Sequence, residues 1–161
     1  MFLTGYIVFL TMADFYFDEI IKVLKIDEQV VYDKVTRIHA KIEDEDFDLE
    51  LDVHSELYPM LPDEKYRMVI SDTLHLDGSV VSGHFSEDKQ KSLADKFEYV
   101  MHGLLYKMSE DGEKGKVRDD GSKDVLVYIS FGGLQLMLKG DPLKMHKFKP
   151  GQKLFLLLRK I

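Results

Sequence analysis

The stretch Tyr128-Ile129-Ser130-Phe131-Gly132-Gly133-Leu134-Gln135-Leu136-Met137-Leu138-Lys139-Gly140-Asp141 constrains the fold more than any other part of the chain. Two apolar, strand-like runs flank a Gly-Gly pair, and Gly140-Asp141-Pro142 closes the second run. Glycines supply the positive φ that a tight turn between strands needs, so the stretch reads as a β-hairpin. Val125, Val127, Ile129 and Phe131 share one face of the first strand, and Leu134, Leu136 and Leu138 share one face of the second. Leu126, Tyr128 and Met137 fall on the opposite faces, so the pair is apolar on both sides. Such a hairpin is either central in a core or docked against something else.

The rest of the chain reads as further strands. Phe47, Leu49, Leu51 and Val53 alternate with Asp48, Glu50, Asp52 and His54, the pattern of a half-buried strand. Val31–Ile42, Tyr66–Ile70, Phe97–Met108 and Leu154–Leu158 have strand character, with Pro59 and Pro62 marking a connection. Phe15 and Phe17 alternate, but Ile20, Ile21, Val23 and Leu24 would also suit a helix face, so the first element is open between the two. Gly103 inside its strand suggests a bulge or a barrel corner. Leu74–Ala94 carries no sustained period and reads as a long functional loop, and Glu110–Asp124 reads as a solvated, mobile hairpin loop. With seven or eight strands and no long helical pattern, the expected class is a small all-β barrel or sandwich.

At 161 residues the chain suits a single domain able to bury a core without staples. There is no Cys and no Asn, so disulfides, thiolate chemistry and N-glycosylation are excluded, favouring a reducing compartment over secretion. The net charge of −7, from 29 acidic and 22 basic residues, opposes a general nucleic-acid footprint. Residues 1–12 are largely apolar, but the first basic residue is Lys22, which fails the signal-peptide pattern, and the run is too short to span a bilayer. The expectation is an N-terminal extension, disordered or non-native, before a domain covering residues 13–161.

No catalytic constellation emerges. His39, His54, His75, His84, His102 and His146 lack paired metal-ligand spacing. The run Glu43-Asp44-Glu45-Asp46-Phe47-Asp48 would put Asp46 and Asp48 on one strand face, but nothing basic or Gly-rich nearby could hold a phosphate. It reads as a solvated strand end. Gly132-Gly133 lacks the helix-opening context of a dinucleotide loop, and no Ser lies in a nucleophile elbow.

Several motifs resemble one family in combination. They are Asp33-Lys34-Val35-Thr36-Arg37-Ile38, Leu51-Asp52-Val53, Leu74-His75-Leu76-Asp77-Gly78, Leu93-Ala94-Asp95-Lys96-Phe97-Glu98-Tyr99-Val100-Met101-His102-Gly103, Tyr128-Ile129-Ser130-Phe131-Gly132-Gly133-Leu134 and Leu156-Leu157-Leu158-Arg159-Lys160. In order and without large gaps from about Ala13 onward, they are similar to the small OB-fold common subunit shared by eukaryotic nuclear DNA-directed RNA polymerases I, II and III, the eighth-numbered one. His102, where Tyr is commoner, resembles the plant version. Two features depart from the family pattern: residues 1–12 have no counterpart, and Gln135-Leu136-Met137-Leu138 replaces the usual Leu-Met after Gly-Gly-Leu, altering an outward position.

The resemblance implies a closed antiparallel barrel of OB type with about eight strands and a long Ω-like loop over residues 74–92. It implies a non-catalytic assembly subunit, in the nucleus and nucleolus, docked on the largest subunit near the pore and funnel. The magnesium-holding carboxylates would belong to that subunit, so no catalytic residue, cofactor, metal, membrane or small-molecule substrate is expected here. The Gly-Gly-Leu hairpin would form part of the docking surface, with Ser130, Phe131, Gly132, Gly133, Leu134 and Met137 as partner-binding residues.

OB folds commonly bind single strands through a basic groove and stacking aromatics. An autonomous single-strand binder using Lys89, Lys91 and Lys96 is the competing expectation, and a ligand-binding barrel with an interior cavity is a third. The acidic balance and the absence of Trp favour the subunit, for which no direct sequence-specific nucleic-acid binding is expected.

Overall fold

The computed structural model describes residues 15–28, 34–75, 92–111 and 121–161. Eight strands close into a barrel: β1 Phe17–Glu28, β2 Val35–Ile42, β3 Asp48–His54, β4 Lys65–Ser71, β5 Tyr99–Glu110, β6 Val125–Phe131, β7 Leu134–Gly140 and β8 Lys153–Lys160. Around the barrel the order is β1-β2-β3-β7-β6-β5-β8-β4, and every pairing is antiparallel, including β4 back onto β1. The class is the all-β barrel expected, consistent with an OB-type fold.

Alternation explains the interior. Leu49, Leu51 and Val53 of β3, Val127 and Ile129 of β6, and Leu136 and Leu138 of β7 all point inward and are buried. Together with Ile21, Ile38, Phe47, Tyr66, Met68 and Leu105 they fill the barrel, as the width of an eight-stranded barrel permits. That filling answers the ligand-barrel expectation: the interior is side chains.

The ambiguous first segment is a strand. Ile21 and Val23 alternate into the core while Ile20 and Leu24 point outward and stay exposed, and a register shift between Val23 and Lys25 ends that alternation. Apolar residues on both faces, Ile20 and Leu24 outside and Ile21 and Val23 inside, produced the helix-like spacing. Asp46 lies in the turn before β3 rather than on the strand with Asp48, and both are exposed.

Phe97 lies outside β5 and packs over the barrel wall, with the guanidiniums of Arg67 and Arg159 at 5.5 and 5.8 Å from its ring. It belongs to a second apolar cluster in which Val69, Leu157 and Leu93 are buried and Phe15, Leu74 and Phe155 pack alongside. Leu93 begins a short 3₁₀ turn, Leu93–Lys96, whose start is held by reciprocal bonds between Ser92 and Asp95. Residues 76–91 of the expected Ω loop lie outside the described residues. Its two ends meet, His75 bridging Ser92 and Leu93 N–H donating to the Leu74 carbonyl at 2.7 Å. The expectations for residues 1–12 and for most of the 110–124 loop also lie outside the described residues.

One end of the barrel carries a tyrosine cluster with a consequence for pH. Tyr58 stacks on Tyr99 at 5.1 Å and meets Tyr66 edge-on at 5.9 Å. The Glu98 carboxylate accepts from Lys160 N–H and from Tyr58 O–H, each at 2.7 Å. The Lys160 bond, then the Tyr58 bond, hold its pKa below the ordinary 4.5. A carboxyl depressed by folding stabilises fully above its unfolded pKa, and that contribution is lost as pH falls through the folded value. Thermal stability of the chain is therefore expected to weaken as pH falls below about 4.5. Glu98→Gln should be less stable near neutrality, and its deficit should shrink on acidification. A deficit constant with pH would show that the Glu98 charge is immaterial.

Candidate functional site

The hairpin predicted from the Gly-Gly pair is β6–β7, registered by Phe131↔Leu134 across a two-residue turn. Gly132 and Gly133 have φ of +62° and +102°, and an added Cβ at either would enter open space. Two positive φ values in succession give a turn whose twist matches the flanking strands. The Ser130 Oγ accepts from Gly133 N–H at 3.4 Å.

The expected partner-binding residues are brought together, but they do not all face outward. Phe131 is 6% exposed and sits in the core, leaving a partner little of its side chain. It can lie there because β5 passes close by: a Cβ on Gly103 would come within 2.6 Å of the Phe131 ring and 2.2 Å of the Ser130 carbonyl oxygen. This close approach is what Gly103 provides. The bulge lies farther along β5, between Leu105 and Lys107. Gly132 and Gly133 are exposed, Ser130 and Met137 are half-buried on the outer face, and half-buried Leu134 packs against the core.

Four residues absent from the expected site hold this tip in place. The β3–β7 ladder stops at Leu51↔Leu136, leaving the next β7 amide without a strand partner. Asp52 takes it, accepting from Gln135 N–H at 3.1 Å. The same carboxylate is forked by Arg37, Nε at 2.8 Å and Nη2 at 3.1 Å, and is itself 5% exposed. The bond to Asp52 raises the Arg37 pKa further, against the opposing effect of its partial burial. The Gln135 side-chain amide in turn donates to the Tyr106 hydroxyl, whose ring lies 6.1 Å from Tyr128. Thus β2, β3, β7 and β5 are tied at one point. The tip beyond it is presented on a fixed base.

The sequence carried partial signals of this knot. Gln135 stood out as the altered outward position, and Arg37 and Asp52 both lie in motifs that carried the family resemblance. Their contact spans 15 positions and the Asp52–Gln135 contact 83, which no local pattern encodes.

Chemically the site can bind but has no apparatus for a reaction. It offers one guanidinium–carboxylate pair, amides, hydroxyls and apolar surface. Among the described residues, no group of three or more His, Asp or Glu side chains is arranged to hold a metal ion.

A family profile described as RNA polymerase Rpb8 matches residues 18–160. The chain belongs to this family. It is a non-catalytic, structural subunit of DNA-directed RNA polymerase, acting in transcription. Among relatives, the Arabidopsis thaliana protein "DNA-directed RNA polymerases II, IV and V subunit 8B" is 41% identical over 146 residues, covering 90% of this chain and 95% of that one. The Caenorhabditis elegans "Probable DNA-directed RNA polymerases I, II, and III subunit RPABC3" is 34% identical, covering 92% and 98%. The Saccharomyces cerevisiae "DNA-directed RNA polymerases I, II, and III subunit RPABC3" is 31% identical, covering 92% and 100%. This kinship favours the subunit reading over the autonomous single-strand binder. Lys89 and Lys91 of that alternative lie outside the described residues, and Lys96 is an exposed end of the 3₁₀ turn.

Proposed function

We propose that the chain is a shared assembly subunit of the nuclear RNA polymerases I, II and III, in nucleus and nucleolus, and that it docks on the largest subunit through the β6–β7 hairpin tip. The reading rests on family membership. The observation that carries the docking site is the exposed Gly132-Gly133 turn held on the Arg37–Asp52–Gln135–Tyr106 knot. A turn without side chains lets a partner approach the backbone closely, and a fixed base limits the entropy lost on binding.

The test uses Gly132→Asp in the tagged full chain. With φ at +62° and open space at Cβ, aspartate is tolerated there at a cost of about 1–2 kcal/mol. Recovery of the largest subunit with the tag is expected to fall about ten-fold or more, while the variant still unfolds cooperatively. Undiminished recovery would place the contact elsewhere on the barrel.

A further inference from the structure

The outer wall of the barrel divides by chemistry. On β1–β4 most outward positions are charged and several are matched, with Ile20 and Leu24 as isolated exposed apolar residues. Arg67 forks Asp18 at 2.9 and 2.8 Å, Lys65 meets Glu43 at 3.0 Å, and His39 lies between Asp27 at 2.7 Å and Glu50 at 3.3 Å. On β5 the outward positions are Val100, His102 and Leu104, and the bulge then leaves Tyr106 and Lys107 both exposed. Val100, Leu104 and Tyr106 are 37%, 44% and 44% exposed. Register sets Phe155 beside His102 and Lys153 beside Leu104 on one flank, and Tyr128 beside Lys107 on the other. Met137 continues the row onto β7. The result is an apolar ribbon across β8, β5, β6 and β7, bordered by Lys153 and Lys107. Among the described residues, neither lysine is paired with a carboxylate.

We propose that this ribbon is a second contact surface, occupied in the assembled polymerase by a polypeptide segment of another subunit whose apolar side chains are flanked by Asp or Glu. The proposal rests on the subunit reading above, but it places binding on β5 rather than on the hairpin tip. Charge selects the occupant. The apolar centre matches the desolvated core of a stable protein interface, and the bordering lysines call for acidic groups opposite. A second copy meeting this face symmetrically would set lysines against lysines. A single-stranded nucleic acid needs open ring faces for its bases, and these are engaged within the chain. His102 stacks on Phe155 at 4.2 Å, and Lys107 lies 5.3 Å above the Tyr128 ring.

A sign test separates binding from folding: Leu104→Glu against Leu104→Lys in the tagged full chain, with Leu24→Glu on the charged wall as control. Lysine adds like charge beside Lys153 and Lys107, so on folding alone it is the worse substitution. Across an acidic partner the order reverses. Polymerase recovery should fall about ten-fold or more for Leu104→Glu, and less for Leu104→Lys, with the control at parental level. Equal recovery for the two Leu104 variants overturns the proposal. So does a free chain that dimerises through this face, or one whose binding to a labelled single-stranded oligonucleotide Leu104→Glu abolishes. Loss with Gly132→Asp but not with Leu104→Glu would overturn the ribbon and leave the hairpin reading standing. Loss with Leu104→Glu but not with Gly132→Asp would do the reverse.

Discussion

Gly103→Ala is expected to destabilise the barrel by about 3 kcal/mol or more, the upper range for forcing atoms into a packed site. The added methyl would stand 2.2 Å from the Ser130 carbonyl oxygen and 2.6 Å from the Phe131 ring. The first neighbour is backbone of a paired strand, so relief requires β5 and β6 to part near the hairpin tip. For a chain of this size the loss corresponds to about 10 °C in unfolding midpoint, readable by calorimetry or circular dichroism. Gly132→Ala is the informative comparison. It meets nothing within 4 Å and is burdened only by its positive φ, so its loss should be the smaller. Equal losses would mean that backbone conformation, not the close approach of β5 to the hairpin, decides the glycine positions.

The second large effect is expected at Asp52. Removing its carboxylate with Asp52→Ala strands the Arg37 guanidinium and the Gln135 amide together. The cost should be about 3 kcal/mol, the low end for a broken buried pair, because Arg37 is still partly open to water. Asp52→Asn keeps an acceptor for the Gln135 amide and should lose less. Pairing Arg37→Met with Asp52→Leu should recover part of the loss, since neither charge is then left unmatched, although the amide still lacks its acceptor. Hydrogen exchange at Gln135 should quicken in Asp52→Ala, because that amide has no strand partner to fall back on. If Ala and Asn variants were equally stable, the Gln135 bond would contribute nothing, and the knot would reduce to an ordinary ion pair.

Both effects concern contacts between elements far apart in the chain, which marks the boundary of what could be read from sequence. The turn at Gly132-Gly133 was legible because positive φ is a local demand that few residues meet. The β3 strand was legible because one buried face imposes a period of two. The first strand was ambiguous because Ile20 and Leu24 on its outer face are apolar too, and apolar residues on both faces of a strand resemble the stripe of a helix. Phe131 shows the limit at the candidate site. Its motif marks it together with its neighbours, but whether its ring faces the core depends on how closely β5 passes, and that depends on Gly103.

Local rules acting on the sequence by itself determined the strand content, the tight hairpin, the absence of thiol chemistry and the family. Each follows from residue type, short-range periodicity or motif. Tertiary structure alone decided the closure order β1-β2-β3-β7-β6-β5-β8-β4, the burial of Asp52 and the apolar row on β5. Closure decides which strand ladders run out before their neighbours do. Where the β3–β7 ladder stops at Leu51↔Leu136, the next β7 amide recruits an acidic side chain from the outer face of β3. Burial of that carboxylate then depends on Arg37, supplied by a third strand. No alternation rule contains this outcome, because it arises from three strands meeting at the rim of a closed surface.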